Sequence, residues 1–162
     1  MSDKEPMTLF GYEKITKELE QLKNVERNKI AAEIATAREY GDLKENAEYH
    51  AAKEKQVHLE KRIALLEEYV SKAQVIDPSI LPHSRVSFGS TVKLLDLETE
   101  KEVEYTIVGA VESSVERGLI SINSPLAKVM MGKEEGQDFV ADLPSGVKEF
   151  EVLEVGYREI TF

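Results

Sequence analysis

Apolar residues in the first half of the chain recur every three or four positions. Tyr12, Ile15, Leu19 and Leu22 are spaced 3-4-3, and Leu59, Ile63, Leu66, Val70 and Ala73 are spaced 4-3-4-3. Each series is the seam of a helix packed lengthwise on another helix. The second seam extends back through Gln56, Ala52 and Tyr49. The first slips by about one residue around Glu26-Arg27-Asn28-Lys29, then resumes at Ile30, Ile34 and Ala37. Charged residues fill the positions between. From Tyr12 to Ile76 the only helix breaker is Gly41, and glycine supplies the left-handed conformation that ends a helix. The pattern therefore predicts an antiparallel hairpin, with helices over about 12–40 and 43–75, in place of one long dimerising helix. Such an arm is roughly 45 Å long at 1.5 Å per residue. It is too thin to hold a pocket and suited to reaching.

The second half changes period. Glu102, Glu104 and Thr106 alternate with Val103, Tyr105 and Ile107, as in a half-buried strand. Thr91 to Leu95, Leu119 to Ile122, Phe139 to Leu143 and Glu149 to Tyr157 read as further strands. Pro125 opens a short helix that Gly132 closes. Seven of the nine glycines and four of the five prolines lie after residue 76. The run Asp77-Pro78-Ser79-Ile80-Leu81-Pro82 forbids helix continuation and marks the boundary. The expected class is α+β: a hairpin domain over 1–76 with its tip near 38–49, a linker over 77–84, and a small antiparallel β domain with one short helix over 85–162.

Composition narrows the function. The 162 residues carry 21 basic and 31 acidic side chains, a net charge of −10. That balance argues against a protein that holds nucleic acid by charge alone, because such proteins cluster Lys and Arg against phosphates. It leaves room for one recruited by another nucleic-acid-binding protein. The charge is uneven: residues 1–76 hold 13 basic and 15 acidic residues, residues 77–162 hold 8 and 16. There are no cysteines, which removes disulfides, thiolate zinc sites and Cys nucleophiles. His50, His58 and His83 are too few and too scattered for a metal cage. The N-terminus lacks the basic and apolar regions of a signal peptide, and no apolar run nears the ~20 residues of a membrane span. The expected location is the cytoplasm, with no membrane partner and no small-molecule substrate.

The tip reads Ala37-Arg38-Glu39-Tyr40-Gly41-Asp42-Leu43-Lys44-Glu45-Asn46-Ala47-Glu48-Tyr49. Asp42 and Glu45, three apart, can face the same way at the start of a helix. By spacing they form a capping box, with Asp42 as the N-cap and Glu45 reaching back to it. The same carboxylates have lone pairs to spare. Two hard oxygen ligands on a thin arm cannot cage a metal, but they can complete the shell of a Mg²⁺ held elsewhere. Arg38 and Lys53 flank the acids within two turns, as RNA-contacting cations or as a solvated helix face. Tyr49 lies on the seam. Asn46 can orient Glu45 or nucleic acid.

The string AREYGDLKENAEYHAAKEKQ resembles the tip of the bacterial transcript-cleavage factors, the Gre family. The resemblance spans the chain. Pro6-Met7-Thr8 followed by Gly11 is similar to the family's start, Ala73-Gln74-Val75-Ile76-Asp77 to its interdomain junction, and Ser121 to Ala127 with Gly132-Lys133 to its C-terminal signature. Gln137 departs from the Asp common there and does not touch the tip. The resemblance implies a coiled-coil arm and an FKBP-like second domain that docks on bacterial RNA polymerase. It implies that the arm enters the secondary channel and stimulates the polymerase's own cleavage of backtracked RNA at the nascent 3′ end. On this basis Asp42 and Glu45 are the catalytic acids, sharing a Mg²⁺ with the polymerase and orienting the attacking water. The chain then has no cofactor of its own and is an accessory factor, not an enzyme. Arg38 and Lys53 contact RNA, Gly41, Leu43, Asn46 and Tyr49 support the tip, and Ser121, Ser124, Pro125 and Gly132 form a docking loop.

Three other readings compete. A paralogue can occupy the channel and inhibit without cleaving, but the two intact tip acids argue against that. A prolyl isomerase needs an aromatic-lined pocket. The second half offers only Phe88, Tyr105, Phe139, Phe150, Tyr157 and Phe162, several of which a core requires. In a coiled-coil adaptor without chemistry, Asp42 and Glu45 are caps alone.

Overall fold

The computed structural model describes residues 4–42 and 46–161. The chain forms two compact units, Glu13–Lys72 and a second that combines Met1–Tyr12 with Ala73–Phe162.

The Glu13–Lys72 unit is the hairpin. Helix α1 (Leu9–Gln21) continues through a π-helical turn at Leu22–Glu26 into α2 (Arg27–Arg38), and α3 (Ala47–Lys72) returns. The π turn is the physical form of the slipped seam. It takes up one extra residue, so Ile30, Ile34 and Ala37 still face the partner helix. Ile30, Ile34, Ala52, Leu59 and Ile63 form the buried seam, flanked by Leu19, Leu22 and Tyr49. Ion pairs join the helices from Lys23 to Glu67 (3.3 Å), Arg27 to Glu60 (2.8 Å) and Lys55 to Glu33 (3.4 Å). The partner's number falls as the first rises, which is the antiparallel order. These pairs are exposed and worth about 0–1 kcal/mol each; they select register more than they add stability.

The other unit holds a sheet of five strands in the order β5-β4-β3-β7-β6. Its strands are β3 (Thr91–Asp96), β4 (Glu102–Val108), β5 (Leu119–Ser121), β6 (Asp138–Leu143) and β7 (Gly146–Gly156). One short helix, α4 (Pro125–Met130), precedes β6. Val92, Leu94, Ile107, Phe139, Ala141, Phe150 and Val152 make the core with Leu126, Ala127 and Met130 of α4.

The structure corrects three expectations. The sheet is mixed, because β4 and β5 pair in parallel. Two 3₁₀ turns at Ala110–Glu112 and Val115–Arg117 carry the chain back between them, a longer connection than a hairpin needs. Residues 73–76 are not the end of a helix. They form β2 (Ala73–Ile76), paired in parallel with β1 (Glu5–Thr8), so the first residues belong with the second half and not with the hairpin. The segment 77–84 is not a loose linker either. Pro78 is buried, and a Cβ on Gly89 would stand 2.1 Å from the Pro78 Cβ. His83 is held at both ring nitrogens, by the Ser90 hydroxyl and the Pro78 carbonyl, each at 2.6 Å.

A buried carboxylate fastens β1. Glu112 accepts the N–H of Thr8 (3.0 Å), the N–H of Gly109 (2.7 Å) and the Thr8 hydroxyl. A Cβ on Gly11 would lie 2.0 Å from Glu112 Oε1, so glycine is required there by space.

Candidate functional site: the tip of the hairpin

Helix α2 ends at Arg38. The N–H groups of Glu39, Tyr40 and Gly41 fold back onto the carbonyls three residues earlier, a 3₁₀ tightening of the last turn. Gly41 follows at φ 104°, with open space around it, which is the left-handed stop expected from the sequence.

Helix α3 begins later than expected, at Ala47, and its cap is Asn46. The Asn46 carbonyl accepts the first helical N–H, from His50 at 3.1 Å, and its side-chain Oδ1 accepts from Tyr49 N–H at 3.1 Å. Asp42 therefore lies four residues ahead of the cap and outside the helix. The capping box expected for Asp42 and Glu45 is not formed by α3. Asn caps as well as Asp, and the seam residues Tyr49 and Ala52 fix where the helix must be in phase. The cap was legible in Asn46-Ala47-Glu48-Tyr49, but the Asp42-Glu45 spacing competed with it.

Asp42 is exposed, and with Tyr40, Asn46, Ala47 and Glu48 it lines a shallow depression at the tip. Leu43, Lys44 and Glu45 lie outside the described residues. Among the described residues, no cluster of three or more His, Asp or Glu side chains could hold a metal ion.

Arg38 lies with its guanidinium over the Tyr49 ring, 5.8 Å from the centroid. Lys53 is exposed and donates to Gln56 at 3.1 Å. Tyr49 is half-buried against the seam and makes an edge contact with His50. Both ends of the Asn46 amide are used within the tip, Oδ1 by the Tyr49 N–H and Nδ2 by the Ala37 carbonyl; Glu45, which Asn46 was expected to orient, lies outside the described residues.

The residues expected to form a docking loop shape the entry and exit of α4. Ser121 Oγ accepts Asn123 N–H, and Ser124 Oγ accepts Ala127 N–H as the N-cap ahead of Pro125. Gly132 sits at φ 82° and donates to the Val86 carbonyl. Phe88, Phe139 and Phe150 are spent on the core, and Tyr157 stacks on His83. Met130 is fully buried, and His58 stays exposed beside Glu54. No helix among the described residues is long and apolar enough to cross a membrane.

Comparison with known proteins accounts for both units. The family model described as "Transcription elongation factor, N-terminal" matches residues 5–75, and that described as "Transcription elongation factor, GreA/GreB, C-term" matches residues 81–157. The transcription elongation factor GreA of Nitratiruptor sp. is 59% identical over 162 residues, covering 100% of this chain and 99% of its own. GreA of Helicobacter hepaticus is 58% identical over 158 residues, covering 98% of this chain and 97% of its own. GreA of Aliarcobacter butzleri is 57% identical over 159 residues, covering 98% and 99%. With both halves matched in order and each relative aligned nearly end to end, the chain belongs to the GreA/GreB family of transcription elongation factors.

Proposed function

We propose that this elongation factor acts on backtracked bacterial RNA polymerase. Its second unit docks on the enzyme, and the hairpin enters the secondary channel with Asp42 and Glu45 leading. There it stimulates the polymerase's endonucleolytic cleavage of the extruded RNA, and elongation resumes from the new 3′ end. The factor is an accessory and carries no hydrolytic centre of its own.

The observation that carries this reading is the placement of Asp42. It is exposed at the turn, outside both helices, while Asn46 performs the cap. The start of α3 is therefore capped by Asn46, and Asp42 does not fill the N-cap role expected of it at that helix. Asp42 and Glu45 would help hold a Mg²⁺ shared with the polymerase, which when bound polarises water and stabilises a leaving oxygen. The chain's own contribution is placement: two carboxylates on a rigid arm orient the water, and Arg38 and Lys53 draw in the RNA backbone. A narrow helical pair suits a channel that a globular unit cannot enter.

The test uses backtracked complexes of purified bacterial polymerase and end-labelled RNA. The chain is expected to release short 3′ fragments. Asp42→Asn keeps size and polarity, so it should leave stability within about 0.5 kcal/mol and lower the cleavage rate roughly 100-fold or more. Normal cleavage by both Asp42→Asn and Glu45→Gln would sink the role of the acids.

A further inference from the structure

We propose that Asn46 is the positioning residue of the tip, a clamp that ties the end of α2 to the start of α3. The proposal rests on the cleavage reading for its functional consequence and on geometry for the clamp itself.

A cap needs one acceptor, and Oδ1 of Asn46 provides it to Tyr49 N–H. The other half of the amide is used as well. Nδ2 donates to the carbonyl of Ala37, nine residues earlier and in the last turn of α2. The orientation of the amide is fixed by chemistry: a carbonyl can only accept and an N–H can only donate. Ala37 is itself anchored, 3% exposed in the seam. One short side chain thus gives a second donor to a carbonyl that already accepts the Tyr40 N–H, and an acceptor to a terminal N–H of the next helix. Arg38 over the Tyr49 ring makes a second tie between the same two ends.

The sequence between these ties includes Asp42 and Glu45, and Glu45 directly precedes Asn46. Asp42 is exposed, and the residues that flank the turn on either side are joined to each other across it.

The discriminating variant is Asn46→Ser. Serine caps about as well as asparagine but has no amide to reach the Ala37 carbonyl. Three measurements on the full chain are made: thermal midpoint, RNA cleavage by backtracked polymerase across a factor titration, and trypsin cleavage after Arg38 and Lys44. The clamp predicts an unchanged midpoint and an unchanged half-saturating concentration. It predicts a saturated cleavage rate roughly 10- to 100-fold lower, the cost of a misplacement near 1 Å. It also predicts several-fold faster trypsin cleavage at the two tip bonds, because proteolysis follows local opening. A Ser variant equal to the unaltered chain in rate and in proteolysis overturns the proposal and leaves Asn46 a cap. Loss of polymerase affinity alone overturns it too. If the unaltered chain releases no RNA, the cleavage reading falls, and the proteolysis still decides the clamp.

Discussion

Glu112 shows how one side chain can be satisfied and still be under tension. Burial pushes its carboxyl above the ordinary carboxylate value, and the hydrogen bonds from Thr8 and Gly109 only partly offset it. Its protonated form is favoured in the fold, so its contribution to stability is complete below the unfolded value of about 4.3. That contribution is lost as pH rises through the folded value. Asp96 has the opposite sign. Burial would raise it, but the N–H groups of Thr99 and Glu98 and the Lys148 ammonium hold it below its ordinary value. Its contribution is complete above about pH 3.9 and is lost as pH falls through the folded value. Glu112→Gln keeps an oxygen for the two N–H groups and removes the titration. Its melting temperature should therefore fall less than that of the unaltered chain as pH rises from about 4.3 through the raised folded value. Parallel curves would exclude Glu112 as the source. Glu112→Ala orphans two N–H groups and a hydroxyl and should cost about 3 kcal/mol or more in denaturant melts. None of this was legible from spacing. Glu112 stands 104 positions from Thr8, and only the run Pro6-Met7-Thr8 with Gly11 hinted that the start of the chain was constrained. The acids proposed for the tip stand out in the sequence because they are three residues apart. The cap was misassigned because a capping box and Asn46 both fit the same local string.

Among the elements, the seams were the most legible feature, since a helix repeats its face every 3.6 residues wherever its partner lies. Even the defect was visible: Leu22 to Ile30 spans one residue more than a heptad, and the π turn at Leu22–Glu26 absorbs it. The strands of the sheet were legible by alternation. The parallel pairings of β1 with β2 and β4 with β5 were not, because alternation reports a face and never a partner. The π turn yields a prediction. Deleting Asn24 from it restores an unbroken heptad from Tyr12 to Ala37, at the cost of turning Arg27 toward the seam, where its long stem can still reach outward. Deleting Ala32 removes a residue from regular helix and throws Ile34 and Ala37 off the seam. The Asn24 deletion should melt within about 5 °C of the full chain, and the Ala32 deletion should melt lower than that. If the two deletions destabilise equally, the π turn is not a stored residue.

At the scale of the molecule, the prolines and glycines located the boundary near residue 77 and missed that the chain crosses it twice. Residues 5–12 fold with the second half, and the charge contrast between the halves survives that exchange. The arm is nearly neutral, with Arg38 and Lys53 among the cations spread along it, while the acidic excess lies on the unit proposed to meet protein. A prediction follows from the double crossing. A fragment of residues 73–162 retains the five-stranded sheet and β2 but lacks β1. It exposes the site that Met7 and Thr8 fill at 2% and 0% exposure, and it leaves Glu112 with the N–H of Gly109 as its donor among the described residues. Burying one methionine is worth about 1.5–3 kcal/mol, and each lost hydrogen bond about 1 kcal/mol. The sum, about 3–5 kcal/mol, corresponds to roughly 15–30 °C in a domain of this size. The fragment should melt lower than a chain of residues 1–12 joined to 73–162 through a glycine-serine linker. A peptide of residues 4–12 added in excess should recover part of the difference, as any ligand specific for the folded state does. Equal midpoints for the two fragments, with no response to the peptide, would mean that β1 rests on the sheet unit without supporting it.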